Sequence, residues 1–553
     1  FMLGRQDGKL QLLSADLDGD ARQVHAEGEL ATEYHVSPRG DFVAFRENYE
    51  AFAMPLLPGG QAVTVGEEAS SLPVVRASKG GADYIGWTEG GDMLTWSMGP
   101  VLYRAGLASM FASAPKDKDA PKFVPPTSGT SLERTVSADK PRATVAITGA
   151  KILTMTGDGA GEIADGTIVI VGDRIAAVGP ASSVQIPQGA TMIDAAGKTI
   201  MPGLVDAHAH GPQGVGDLVP QQNWSLVQNL AMGTTTIHDP SSSASMIFSA
   251  SERQQAGNML APRIFSTAEV VYGAKAPGVY ARIDSYEDAL AHIQRIKAQG
   301  GISIKNYNQP RREQRQQVVA AARAENMLVV AEGGSLFGMD MNLIADGNST
   351  IEHNVPGEVF YEDVLQYWAG SQSNYTPTLV VTYGGLAADP YWRQATDVFD
   401  NPLMVHTPPR QLIAETARRV TAPEWAFVDD EAAREAKKLA QRGVKVSIGA
   451  HGQQAGVGSH WELWSFVRGG MTPVESLRAG TIESARSLGM DRDIGSLEAG
   501  KLADLIVLEA DPSENIRNSD KIERVMIGGR LYDARTMNEV ETGDARRLPY
   551  WWE

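Results

Sequence analysis

An α/β fold is predicted for this chain of 553 residues: a (β/α)8 TIM barrel over 201–490 with a discontinuous β-sandwich domain, preceded by a fragment of a β-propeller. Three observations carry the prediction. From 201 to about 490, short apolar runs alternate with helix-forming stretches, as parallel βα units require. The runs number eight, ending at His208, His238, Ser266, Lys305, Glu332, His353, Val381 and Gly449, and eight strands close a barrel. Hairpin turns and β-branched runs stand on either side, at 143–200 and 491–545, and these two segments are expected to form one composite sandwich.

Taken in order, residues 1–107 carry two related phrases, 37–45 (Ser-Pro-Arg-Gly-Asp-Phe-Val-Ala-Phe) and 87–96 (Trp-Thr-Glu-Gly-Gly-Asp-Met-Leu-Thr-Trp). Each is a Gly-Asp turn feeding a short alternating strand, and their recurrence at roughly fifty residues reads as two propeller blades. A closed propeller needs about four to eight. The missing blades are therefore expected upstream or on a separate chain. Residues 108–142, rich in Pro, Ser, Lys and Asp, read as a linker. Within the barrel region, 429–441 is Ala-, Glu- and Lys-rich and stops before Gly443, and Thr472-Pro473-Val474-Glu475 spells a capping box with Pro at N1. The insertion at 383–428, with Trp392, Phe399, His406 and Trp425, is expected to cover the mouth of the barrel.

Composition narrows the chemistry. A net charge of −18 argues against a nucleic-acid surface, which depends on clustered Lys and Arg. No apolar run approaches the roughly 20 residues that span a bilayer, so no membrane span is expected. With no cysteine, neither disulfides nor thiolate sites are available, and any metal must be held by His, carboxylate or modified Lys. The chain opens on Phe1 within a β-like pattern and is expected to belong to a longer precursor.

The strongest chemical signal is Pro202-Gly203-Leu204-Val205-Asp206-Ala207-His208-Ala209-His210. Residues i and i+2 of a strand face one side, so His208 and His210 present two imidazoles to one cation. Lys305 ends an otherwise apolar strand; a buried unpaired ammonium is costly, so it is either paired with an acid or chemically altered. Glu332 ends Val329-Val330-Ala331-Glu332, His353 ends Ile351-Glu352-His353, and His451 follows the eighth run. His460 reads as a support of the site or as a structural residue, and His238 with Asp239 stands at the end of the second run. His25, His35, His292 and His406 lie outside this pattern.

Together, 202–210, the sheet before it, Thr350-Ile351-Glu352-His353 and the closing Gly495-Ser496-Leu497-Glu498-Ala499-Gly500-Lys501-Leu502-Ala503-Asp504-Leu505 resemble the amidohydrolase superfamily, nearest its imidazolonepropionase and prolidase-like branch. With the N-terminal repeats the chain resembles the TolB-like propeller–amidohydrolase fusion group. The resemblance covers about 143–545. It implies a binuclear centre with His208 and His210 on one metal, Lys305 N6-carboxylated and bridging, and His353 on the other. Two Zn²⁺ suit such ligands. The chain departs from the family twice: Glu332 stands where His is usual and His451 where Asp is usual, an exchange that keeps one carboxylate and one imidazole.

The metal set is thus expected to be His208, His210, Lys305, Glu332, His353 and His451. His451 is the general base if it does not ligate metal, and Glu332 otherwise. Tyr307 and Asn306 are placed to donate to an oxyanion, and Arg311 and Arg312 either hold a substrate carboxylate or sit on the surface. The expected reaction is hydrolysis of an amide C–N bond in a small-molecule or short peptide-like substrate, by a water activated between cations about 3.5–4 Å apart. Lactone, ester or phosphotriester cleavage stays open on the same site. So does another class: a catalytically inactive, metal-stabilised binding module. The expected location is periplasmic or secreted, and a homo-oligomer is left open.

Overall fold

The computed structural model describes residues 1–553 apart from 58, 69–70, 113–122, 212, 215–217, 335, 358 and 417–420, and apart from the side chains of 399 and 414–416. Phe399 and the middle of the expected linker therefore lie outside the described residues. The chain divides into two compact units, Phe1–Thr135 with Glu269–Met327, and Val136–Ala268 with Leu328–Glu553.

The first unit contains three four-stranded sheets, the first two interleaved along the chain. They are Met2–Gln6, Lys9–Ser14, Gln23–Gly28 and Val63–Thr64; Glu33–Val36, Phe42–Glu47, Glu50–Pro55 and Val75–Arg76; and Asp83–Trp87, Met93–Met98, Val101–Gly106 and Thr130–Ser131. That is one sheet more than the two repeated phrases predict. The first sheet turns on Asp7-Gly8, both at positive φ (50° and 81°), a two-residue hairpin rather than the longer Gly-Asp phrase. The expected linker is corrected as well, since Thr130–Ser131 adds an edge strand, pairing Leu102 with Thr130 and Val101 with Ser131. Alternate side chains fill the interior: Phe45 stacks on Phe52 at 5.2 Å, and Trp96 is fully buried.

The same unit contains the helices Tyr286–Gln299 and Arg312–Ala324 and the strand Ser303–Asn306 between them. Ser285 caps the first helix through Asp288 N, and Gly300 ends it at φ 113°. Arg295 of this helix lies 3.8 Å over the ring of Tyr49.

The second unit joins two distant stretches of sequence in one eight-stranded sheet. Thr199–Pro202 runs antiparallel to Leu505–Leu508, from Thr199 opposite Leu508 to Pro202 opposite Leu505. Ile147, Ile152, Ile168, Ile170, Ile200, Leu505 and Met526 form its apolar core. The chain then enters a parallel array. Leu204–Asp206, Thr234–Asp239 and Arg263–Ser266 pair in that order, and Leu328–Glu332, Thr350–Glu352 and Asn374–Thr376 pair in that order. The extended segment 446–448 links the two sets: Val446 bridges Tyr375 in parallel, and Ile448 O accepts from Ala207 N at 3.1 Å. Every run of the array thus delivers its C-terminal residue to the same end.

One run differs from expectation. The strand is Asn374–Thr376, whereas Leu379–Val381 is a 3-10 helix. Pro377 has no N–H for a ladder, and Thr378 takes φ 46°, which breaks the extended backbone. The insertion at 383–428 is helical in part, with Ala388–Ala395 and Pro409–Thr416, and its His406 is buried against the Tyr550 hydroxyl (3.0 Å) and Ala534 O (3.2 Å). No described helix is long and apolar enough to cross a membrane.

Two buried histidines make stability depend on pH. Burial lowers His292 to about 3 and His406 to about 4, so the fold keeps both neutral. Below about pH 6.5 the unfolded chain binds protons there that the folded chain refuses, so stability is full above that pH and is lost as pH falls toward 4. Each group contributes a slope of up to about 1.4 kcal/mol per pH unit. The expected outcome is a urea midpoint that falls from pH 6.5 to 4.5, with a shallower slope in His292→Phe; a flat midpoint contradicts it.

Candidate metal centre

At the C-terminal end of the parallel array, four imidazoles meet. His208 and His210 follow Leu204–Asp206, His353 follows Thr350–Glu352, and His451 follows 446–448. Ring centroids lie 4.9 Å apart for His208 and His210, 5.0 Å for His208 and His353, 5.0 Å for His208 and His451, and 4.7 Å for His210 and His451. One nitrogen from each of His208, His353 and His451 falls within 4.8 Å of the others.

Each ring is held from its Nδ1 side. His208 Nδ1 donates to Glu352 Oε2 at 2.6 Å, and His210 Nδ1 donates to Asp239 Oδ1 at 2.9 Å. His353 Nδ1 meets Thr378 Oγ1 at 2.7 Å, and His451 Nδ1 lies 3.3 Å from Gln453 Oε1. Glu352 is buried and also accepts from Thr350 Oγ1; Asp239 is buried and also accepts from Ser241 N at 3.0 Å. A proton on Nδ1 leaves the lone pair on Nε2, the arrangement of a metal-ligating histidine with a carboxylate behind it.

The donor set can therefore be tested for a cation. The Nε2 atoms of His208 and His210 face each other at 3.1 Å, and Glu332 Oε1 stands 3.2 Å from His353 Nε2. With both Nδ1 protons committed to carboxylates, the lone pairs of His208 and His210 are turned toward each other, and the Glu332 carboxylate brings a further anionic donor beside His353. A shared positive charge converts the repulsion between the two lone pairs into attraction. Zinc accepts such nitrogen and carboxylate donors at about 2.0–2.2 Å each. The residues fit a divalent cation.

The backbone around these ligands is strained. His353 has φ 68°, His451 φ 58°, and the β-branched Thr378 φ 46°. Left-handed conformations at such residues cost about 1–3 kcal/mol each and persist where surrounding structure imposes them. Two buried acids impose it here. Asp206 accepts from His208 N (3.2 Å), Ala450 N (3.1 Å) and Ser459 Oγ (3.3 Å), tying the loops of His208 and His451 together. Glu462 accepts from Val380 N (2.7 Å) and Gly449 N (3.3 Å), tying the Thr378 turn to the His451 loop. Burial pushes Asp206 up to about 7 and Glu462 up to about 8.

Gly452 completes the packing: it sits at φ 79°, and a Cβ there would fall 2.1 Å from His210 O. Gly452→Ala is expected to lower stability by about 1–3 kcal/mol, read as a lower thermal midpoint than that of the parent protein; an unchanged midpoint contradicts the close approach.

The structure sorts the remaining expected site residues. His238 is buried in the strand Thr234–Asp239, its Nδ1 donating to Ala207 O at 3.1 Å. Of the two readings of His460, its contacts are those of a structural residue: Nε2 donates to Met232 O (2.9 Å) and Nδ1 accepts from Ser519 Oγ (3.0 Å), while burial lowers its pKa. In the other unit, Lys305 is buried on Ser303–Asn306, and Tyr307 packs edge-on against Tyr272 at 5.2 Å. Asn306 is buried and braces its own loop, its Oδ1 accepting from Gln309 Nε2 (3.3 Å) and its Nδ2 reaching Arg315 O (3.5 Å). Arg311 takes the surface alternative, half-exposed and paired with Glu313 (3.1 Å) and Asp284 (3.5 Å). Sequence reasoning missed Asp206, Glu352, Thr378 and Glu462 as supports, since each has a partner in a separate element of the chain.

Comparison with known proteins agrees with this geometry. The pattern described as "Amidohydrolase family" matches residues 199–532. The 5-methylthioadenosine/S-adenosylhomocysteine deaminase of Moorella thermoacetica is 25% identical over 430 residues, 70% of this chain and 93% of the relative. Adenine deaminase 3 of Rhizobium meliloti is 26% identical over 384 residues, 67% of this chain and 55% of the relative. Among solved structures, a Xaa-Pro dipeptidase with bound methionine in the active site superposes with a TM-score of 0.55 at 20% identity, covering 71% of this chain and 100% of that one. The A. niger ochratoxinase gives 0.54 at 17% identity over 74% of this chain and 100% of its own. At such identities the likeness is one of fold.

Proposed function

This chain belongs to the amidohydrolase family, and we propose that it hydrolyses an amide C–N bond, peptide-like or N-acyl, at a divalent metal centre on a (β/α)8 barrel. The observation that carries the reading is the 3.1 Å approach of the Nε2 atoms of His208 and His210, each with Nδ1 committed to a carboxylate. His208, His210, His353 and His451 would hold the cation, with Glu332 beside them. The chemistry supplied by a bound divalent cation is Lewis acidity and a water of lowered pKa. Zinc suits these donors.

This chain's own residues supply the rest. Glu352 and Asp239 fix which nitrogen of His208 and His210 faces the cation site, and Thr378 orients the His353 ring. Because His451 lies within the ring of ligand nitrogens, proton transfer falls to Glu332, whose side chain is 13% exposed beside His353. As water attacks the carbonyl carbon, Glu332 accepts its proton, and it returns that proton to the nitrogen as the C–N bond breaks. Lys305 is proposed, on the sequence pattern alone, to carry an N6-carboxylate; intact mass at neutral pH should show one added carbon dioxide. We read the three N-terminal sheets as propeller blades and the location as periplasmic or secreted.

The test is a panel on the metal-loaded protein: Xaa-Pro dipeptides and N-acyl amino acids, with lactones, esters, phosphotriesters and aminopurine nucleosides alongside. Amide cleavage is the expected result. Deamination of an aminopurine without amide cleavage would replace this reading by a second one, favoured by the match along 93% of the Moorella thermoacetica deaminase.

A further inference from the structure

The turn after Asn374–Thr376 is fastened to the His353 loop at both of its ends. Thr378 opens the turn at φ 46°, and its Oγ1 lies 2.7 Å from His353 Nδ1. At the other end Asn354, directly after His353, takes Tyr383 from two sides: Oδ1 accepts from Tyr383 N at 2.6 Å, and Nδ2 donates to Tyr383 O at 3.2 Å. Between them Glu462 accepts from Val380 N at 2.7 Å, and Thr382 Oγ1 donates to Leu379 O at 2.5 Å. Strained backbone that its surroundings hold in this way clusters at active sites.

The residue so placed is Tyr383. Thr378, Leu379, Val380 and Thr382 of the turn are buried, whereas Tyr383 is 38% exposed. Its ring stands 5.5 Å from that of His353, inclined at 47°, and of the ring contacts described for the four imidazoles it is the one made by a residue other than histidine. Glu332 Oε1 stands 3.2 Å from Nε2 of the same His353. The proposed base and a phenol thus neighbour one ligand. A phenol ionises near pH 10, so at neutral pH it is an O–H donor. The tyrosine that the sequence offers for such a role, Tyr307, packs against Tyr272 instead.

We propose that the Tyr383 hydroxyl donates a hydrogen bond to the oxyanion of the tetrahedral intermediate, which makes Tyr383 a catalytic residue. The proposal rests on the amide-hydrolase reading given above and adds a donor to it. As water adds to the carbonyl carbon, the electron pair of the C=O bond moves onto oxygen, and the phenol, which keeps its proton throughout, faces the charge that develops there. As the C–N bond breaks, that pair re-forms the C=O bond and the leaving nitrogen takes the proton held by Glu332. A donor fixed beforehand by the clamped turn needs no reorganisation at the moment of reaction, and loss of one such donor lowers kcat by about 10²–10³-fold.

The experiment compares the metal-loaded parent protein with Tyr383→Phe, which keeps the ring beside His353 and removes only the hydroxyl. Three quantities are read: kcat and KM on the amide of the panel that the parent cleaves fastest, calorimetric affinity for inorganic phosphate as a tetrahedral oxyanion, and metal affinity by competition with a chelating dye. In Tyr383→Phe the expected result is a kcat lower by about 10²-fold or more, a KM within several-fold of the parent's, phosphate bound at least about 10-fold more weakly, and parent-like metal affinity. A packing role predicts instead that Tyr383→Phe keeps the parent kcat and that only Tyr383→Ala loses it; that result overturns the proposal. Equal phosphate affinity in the parent and Tyr383→Phe overturns it too, as does a lost metal affinity that accounts for the lost rate. If the parent cleaves no amide yet Tyr383→Phe binds phosphate at least about 10-fold more weakly, the hydroxyl stands as an oxyanion donor and the hydrolase reading fails. If the parent cleaves amides and Tyr383→Phe matches its kcat, the assignment of Tyr383 fails alone.

Discussion

Replacing His208 by asparagine is expected to lower kcat/KM for the amide substrate by at least about 10³-fold, the scale of the several kcal/mol of charge stabilisation that a metal centre supplies. His208 sits at the middle of the cluster, within 5.0 Å ring-to-ring of His210, His353 and His451. Its loss removes one donor and takes away the nitrogen that faces the Nε2 of His210. It also leaves the buried Glu352 without the imidazole that faces it at 2.6 Å, so some stability is lost as well. Activity and stability are separated by assaying at a temperature where circular dichroism shows the variant folded. His353→Asn should fall to a similar level, because ligands that act as a unit lose function together rather than additively. A folded His208→Asn variant that keeps a tenth of the parent rate would contradict the assignment.

The second large effect is expected one shell out. Glu352→Gln and Asp239→Asn keep shape but remove the anion that fixes the Nδ1 proton on His208 and His210. Loss of such a partner weakens metal affinity by about 10–100-fold. Competition with a chelating dye reads that affinity, and excess metal should restore most of the rate in these variants while restoring none in His208→Asn. Glu352→Gln should have the larger effect, since Glu352 is fully buried behind a fully buried His208, whereas the His210 side chain is 29% exposed. Parent-like metal affinity in both variants would mean that the carboxylates do not set the tautomer.

Much of this centre is legible in the sequence because a strand has a period of two. His208 and His210 share a face by spacing alone, and His353, Glu332 and His451 are visible as polar residues that end apolar runs. The supports are not legible. Glu352 reaches a histidine 144 positions away and Glu462 holds a backbone N–H 82 positions away, and no local pattern encodes a pairing across the array. His460 stays undecided in the sequence for the complementary reason: it follows closely after His451, but the helix Val457–Arg468 turns it toward Met232 and Ser519. The seventh run misleads because Thr378-Leu379-Val380-Val381 has strand composition, and only Pro377 and the φ of Thr378 disclose the turn. That turn then supplies the hydroxyl that holds His353.

The charge argument at the array's C-terminal end is tested most directly by anomalous diffraction at the zinc edge from crystals of the zinc-loaded protein. The account predicts a strong anomalous peak bonded to the Nε2 atoms of His208 and His210, with His353 and His451 turned toward the same centre. Zinc found only elsewhere on the chain, with His208, His210 and His353 pointing apart and their Nδ1 contacts to Glu352, Asp239 and Thr378 broken, would contradict it.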